Sequence, residues 1–333
     1  MRLTAQSAAS NSKTGAGRVR RLGILFAFLV TASVSIFGAT KNVSSSQLAG
    51  YKAVRVRYAP LNKMILSASI NGHAANLIVD TGANEIILDS GAAESFGVSP
   101  SRHGLRYIRF TQINGELFPV GFAQSFSAGS MNFGGTPVAL LTSNGRRSFS
   151  SRLEGGNIRV DGVLGADILT RHKAVINCQA RFIFFKVDWS RPLQLARVAL
   201  SQNFTKVPLR REDNGAFTVP CVIGGQPGRL VIDTGAFLTT FNAPALKSRG
   251  IALQPTRATA RFTNGMARRI TIGQINNFTI GDFKVPPSKF GAAVLPGFAL
   301  EQGNTRIDGI LGMDLLFNSH SIIDFDSMSL FLK

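Results

Sequence analysis

The stretch INGHAANLIVDTGA at residues 70–83 recurs as IGGQPGRLVIDTGA at residues 223–236, with 7 of 14 positions identical at an offset of 153. A second pair follows: IRVDGVLGADIL at 158–169 and TRIDGILGMDLL at 305–316 share 7 of 12 positions at an offset of 147. Between them, Arg109-Phe110-Thr111 precedes Asn114-Gly115, and Arg261-Phe262-Thr263 precedes Asn264-Gly265. Three motifs in the same order mean two copies of one folding unit, with loops of slightly different length between the motifs.

Apolar residues alternate with period two ahead of each DTGA, at Met64, Leu66, Ala68 and Ile70 and at Phe217, Val219, Cys221 and Ile223. That period belongs to strands with one buried face. An Asn-Gly pair between strand-like residues favours a type I′ hairpin, because both central positions need positive φ, so each half is expected to carry a hairpin tip at Asn114-Gly115 or Asn264-Gly265. Each half also ends in an apolar strand closed by lysine, Ile176 to Lys186 and Ile323 to Lys333. Helix is expected only at Ser90 to Phe96, Ala243 to Ser248 and just after each Gly-x-Asp. The expected class is therefore all-β, two similar lobes with a few short helices and an N-terminal apolar segment. The chain divides into an export or anchor segment (1–41), a linker (42–53), lobe one (54–186), a connector (187–205) with the single Trp189, and lobe two (206–333).

Leu77-Ile78-Val79 and Leu230-Val231-Ile232 both run an apolar strand directly into an aspartate, Asp80 and Asp233. A carboxylate in that place costs free energy unless it is paired or used. If the lobes pack about a twofold axis, the two DTGA turns meet and the two carboxylates face one another. Like charges a few ångströms apart share a proton, so one acid is a general base and the other a general acid. Such a pair can activate a water to attack an amide carbonyl.

DTGA after an apolar strand, a glycine-tipped hairpin and a hydrophobic-hydrophobic-Gly-x-Asp segment resemble the retropepsin-like aspartic protease family, here as two fused copies covering nearly all of residues 54–333. The resemblance implies two retropepsin-like β-barrel lobes and endopeptidase activity without a metal or cofactor. It implies that Asp80 and Asp233 are catalytic and that Thr81 and Thr234 brace them by reciprocal hydrogen bonds. Gly82, Ala83, Gly235 and Ala236 complete the supporting turns. Val163-Leu164-Gly165 and Ile310-Leu311-Gly312 would pack behind the turns, and the tips at Asn114-Gly115 and Asn264-Gly265 would be flaps. Two departures stand out. The pairing is internal to one chain, so a monomer with an internal pseudo-dimer suffices. Ala83 and Ala236 stand where pepsin-like enzymes usually have a hydroxyl residue. One hydrogen bond to the ionised form is then missing, and the pair is expected to titrate higher, with activity from mildly acidic to near-neutral pH.

The net charge of +19 comes from 37 Lys and Arg against 18 Asp and Glu. Ten of the basic residues precede Asp80, the first acidic residue, which leaves +9 for the rest. Five of the ten flank the uncharged apolar run Leu22 to Phe37, the pattern of an export signal or of an uncleaved membrane anchor. Either places the body of the protein across the membrane, periplasmic, secreted or anchored. An organellar presequence is the main rival, since the segment is rich in Arg and Ser. The sequons at Asn42, Asn203 and Asn277 count only in a glycosylating pathway.

Other groups read as structural. Asp161 and Asp308 precede glycine as turn residues do, and Asp167 and Asp314 read as helix N-caps. His73, His103, His172 and His320 show no metal-binding spacing. Cys178 and Cys221 are either a disulfide or two buried thiols. No interleaved aromatic pattern suggests a nucleic-acid partner. The expected partner is a peptide or protein substrate, and the membrane through residues 22–37. The competing readings are an inactive peptide-binding module of the same fold in the cell envelope and an envelope structural protein.

Overall fold

The hairpin that leads into the first DTGA pairs strand Lys63–Ile70 with His73–Val79 through Asn71-Gly72, at φ 49° and 84°. The same device, Phe217–Ile223 with Gln226–Ile232, turns at Gly224-Gly225, at φ 58° and 80°. Both pairs of central residues need the left-handed region, which Asn and Gly occupy most readily. An Asn-Gly turn therefore forms at residues 71–72, where the sequence reading had not placed one. The coordinates are a computed structural model, which describes residues 48–103, 107–113, 116–141, 158–261, 267–297, 301–302 and 305–333. The apolar run 22–37 and the tips Asn114, Gly115, Asn264 and Gly265 lie outside the described residues. No helix among the described residues is long and apolar enough to cross a membrane.

In each lobe the strand before the aspartate is flanked in the same way. Gly162–Leu164 runs parallel to His73–Val79 and antiparallel to Ile87–Asp89. Gly309–Leu311 runs parallel to Gln226–Ile232 and antiparallel to Thr240–Asn242. Gly162 is required here, because a Cβ would collide with the Ile87 carbonyl oxygen. The long hairpin Glu116–Ala128 with Met131–Leu141 covers the first lobe, and Leu253–Arg261 with Ala267–Ile275 the second.

A six-stranded antiparallel sheet joins the halves, in the order Thr205–Pro208, Ser329–Leu332, Ile322–Asp324, Val175–Asn177, Phe182–Lys186 and Tyr51–Ala59. Its centre is the pair Ile176 and Ile323, which are equivalent positions of the two copies. The pseudo-twofold axis passes between them. Ile176 to Lys186 and Ile323 to Lys333 are thus not single strands: each folds into a hairpin that adds two strands to this sheet.

One large core runs through both lobes, from Met64, Leu66, Leu77 and Phe126 to Phe217, Leu230, Phe241 and Leu330. All described residues fall in one compact unit. The helices are short. Ser90–Ser95 is capped by the Asp89 carboxylate, which accepts from Gly91 N, and Ala243–Ser248 carries Pro at its start. Ala166–Arg171 and Met313–Asn318 begin two residues earlier than an aspartate cap would allow, so Gly165 and Gly312 occupy the cap positions and Asp167 and Asp314 the second position of the first turn. The connector contributes a helix that the sequence did not announce, Leu195–Ser201. Cys178 and Cys221 are free and buried, with thiols pushed up to about 12 by burial.

Candidate active site

Each DTGA turn is fixed from behind by the second repeated motif. Asp80 N donates to Leu164 O at 3.0 Å, and Asp233 N to Leu311 O at 3.1 Å. The first N–H groups of the following helices then hold the turn carbonyls: Ala166 N donates to Ala83 O at 2.7 Å and Met313 N to Ala236 O at 2.8 Å. These donors would otherwise be the unsatisfied start of a helix. Gly165 lies so close to Glu85 that no side chain fits.

Thr81 and Thr234 join the two turns. Thr81 N donates to Thr234 Oγ1 and Thr234 N to Thr81 Oγ1, both at 3.1 Å. Each hydroxyl then donates across the axis, Thr81 to Ile232 O and Thr234 to Val79 O, both at 2.8 Å. Both threonines are buried, and the four bonds give partners to Thr81 N, Thr234 N, Val79 O and Ile232 O at this junction.

The brace sets the two carboxylates against the opposing turns. A Cβ on Gly82 would stand 2.8 Å from Asp233 Cγ, and one on Gly235 would collide with the Asp80 carboxyl. Gly82 N donates to Asp80 Oδ1, and Gly235 N and Ala236 N donate to Asp233 Oδ1, each at 2.8 Å. Asp80 is held well above the usual carboxylate range, first by burial, then by the charge of Asp233 and a hydrogen bond to it. Asp233 is also raised by burial, against the pull of the bond from Asp80, the Ala236 and Gly235 N–H groups and Lys63. Both acids are thus held toward their protonated forms, the condition under which two neighbouring carboxyls can share one proton.

The remaining candidates separate cleanly. Asp161 Oδ2 accepts from Asn76 N at 2.9 Å, and Asp308 takes both terminal nitrogens of Arg249 at 3.0 Å, so both hold loops together. Asp314 Oδ1 accepts from Thr239 N and Thr239 Oγ1, each at 2.7 Å. The strands Phe110–Ile113 and Glu116–Ala128, which bracket Asn114-Gly115, pair up to Ile113 and Glu116, and Phe110 and Leu117 are exposed on them. Thr111 Oγ1 donates to Glu85 Oε1 at 2.5 Å, tying this hairpin to the loop after the first DTGA. Asn84 Nδ2 reaches across to Asn214 O at 2.6 Å. Glu85, Asn84 and Lys63 were not singled out from the sequence. For Lys63 a signal existed, the register counted back from the Asn71-Gly72 turn.

A sequence profile described as aspartyl protease matches residues 66–168 and 219–315, one copy in each half. Among solved structures, the chain is similar to the aspartic proteinase from Irpex lacteus, at 14% identity over 85% of this chain and 96% of that one, with a TM-score of 0.47. It is similar also to basic 7S globulin from soybean, at 10% identity over 84% and 93%, with a TM-score of 0.44. No curated protein gives a significant match.

Proposed function

The chain belongs to the aspartyl protease family, and from that premise we propose that it is an endopeptidase whose Asp80 and Asp233 activate a water within a single chain. The observation that carries the reading is the reciprocal Thr81–Thr234 brace, which sets each carboxylate against the glycine of the opposite turn. Asp233 takes a proton from the water as the oxygen attacks the peptide carbonyl carbon. Asp80 gives its proton to the carbonyl oxygen. The resulting gem-diol collapses as Asp233 returns a proton to the leaving nitrogen and Asp80 recovers one from a hydroxyl, so the pair ends with one proton, as it began. Because both acids sit above their ordinary range, the one-proton state extends to higher pH than in an exposed pair.

The hairpin carrying Phe110 and Leu117 supplies apolar surface for an extended substrate, and Thr111 docks it beside the turn. The basic flank and apolar run 22–37 send this body across a membrane, as an exported or anchored protein.

The test is cleavage of a denatured protein by full-length protein, with the N-terminus of the same sample sequenced. Asp80→Asn and Asp233→Asn should each lower kcat by about 10²–10⁴-fold. Undiminished hydrolysis in either variant rejects the mechanism. Binding of substrate without cleavage by the wild type would instead identify a peptide-binding module.

A further inference from the structure

The two halves differ at one position beside the pair. In the first hairpin the register runs Ile70 with His73 down to Leu66 with Leu77 and Ile65 with Ile78. Carried two residues further, it sets Lys63 opposite Asp80, on the face of Ile65 and Ile78. Residues so opposed have Cβ atoms about 4.5–5.5 Å apart. In the second hairpin Thr218 opposes Val231, and the same count sets Ala216 opposite Asp233. A cation therefore stands on one side of the pseudo-twofold axis and a methyl group on the other.

We propose that Lys63 is the counter-charge of the aspartate pair, a positioning residue that holds the pair's single negative charge and sets the pH range over which one proton is shared. This rests on the reading of Asp80 and Asp233 as a catalytic pair. Lys63 is half-buried and forms no ion pair with a described carboxylate within 4.0 Å. A cation in such a place needs nearby negative charge. The charges that act on it are those of Asp80 and, more weakly, Asp233, which oppose the lowering of its pKa by burial. In return Lys63 favours the ionised form of Asp233. The other carboxylates of the two loops are turned elsewhere: Glu85 to Thr111, Asp314 to Thr239, and Asp167 to the first turn of its own helix, with Arg171 as its neighbouring cation.

A nearby positive charge favours every ionisation of the pair, so removing it should raise both apparent pKa values and move the whole bell-shaped profile upward. The experiment uses full-length wild type, Lys63→Met, Lys63→Gln and Lys63→Arg. It records kcat/KM against pH, together with the titration of aspartate Cγ resonances in carbon-13 labelled protein, assigned by difference from Asp80→Asn. Both neutral variants should shift the bell and the resonances upward by roughly one pH unit, and Lys63→Arg should stay within about 0.3 unit of wild type. Coincident titration of wild type with a folded neutral variant overturns the proposal. Wild type without proteolysis would reject the enzyme reading, while the resonance titration would still decide the role of Lys63.

Discussion

Thr81 and Thr234 carry the junction between the two turns with two hydroxyls, each of which both donates and accepts. Valine has the same shape and neither capacity. Thr81→Val would leave Ile232 O and Thr234 N buried without partners, at about 1–3 kcal/mol for each group. The expected loss is about 2–5 kcal/mol of unfolding free energy, whereas Thr81→Ser, which keeps the hydroxyl, should lose far less. Denaturant unfolding of the three proteins checks this, and equal stability of the valine and serine variants would show that the bonds are dispensable. Ala83 and Ala236 matter at the same scale for what they lack. Their N–H groups face the aspartates, but no side-chain hydroxyl adds to them, which is consistent with both acids standing above their ordinary range.

The helices behind the turns look equivalent in sequence, yet they treat their aspartates differently. In the second lobe Asp314 meets the N–H and hydroxyl of Thr239. The matching position in the first lobe is Ile86, and Asp167 Oδ1 is buried without a partner. Burial accordingly raises Asp167 to about 6. Between its unfolded value of 3.8 and about 6 the folded protein binds the extra proton, so this group makes the fold progressively less stable as pH rises through that window. The full penalty above it is at most about 3 kcal/mol. Asp167→Asn should therefore gain stability over wild type between pH 4 and pH 7, as followed by the difference in denaturation free energy at each pH; a pH-independent difference would contradict the assignment. The repeats, the two aspartates, the bracing threonines and four of the short helices were legible in the sequence because each follows from a local pattern stated twice. The helix cap was misread because Asp at a helix start satisfies the cap pattern, while the close packing of Gly165 and Gly312 against the preceding loop moves the start back by two residues. The closing hairpins were read as single strands because the turns between their strands, Cys178 to Arg181 and Phe325 to Met328, carry no glycine or proline. Lys63 was passed over because its meaning depends on a register, and the register on a turn at Asn71-Gly72 that was not used.

At the scale of the whole molecule, the two copies are joined twice, at the threonine brace and at the six-stranded sheet centred on Ile176 and Ile323. In the sheet each half contributes the three strands on its own side of the axis, so neither half completes it alone. A pair of separate chains would have to lose translational and rotational freedom to build this junction, at a cost of at least about 4 kcal/mol. The connector removes that cost, and lets the halves diverge, as Lys63 against Ala216 and Ile86 against Thr239 show. The net charge bears on the same point. With ten of its basic residues ahead of Asp80, the remaining body carries a surplus of +9, a repulsion that favours separate molecules in solution over self-association. If the site is complete within one chain, the initial rate per mole of protein should be constant on dilution over three orders of magnitude, down to about nanomolar, and sedimentation should give a monomer across the same range. A rate per mole that falls with dilution would show that the site is assembled from two chains, and would remove the basis for reading Asp80 and Asp233 as partners.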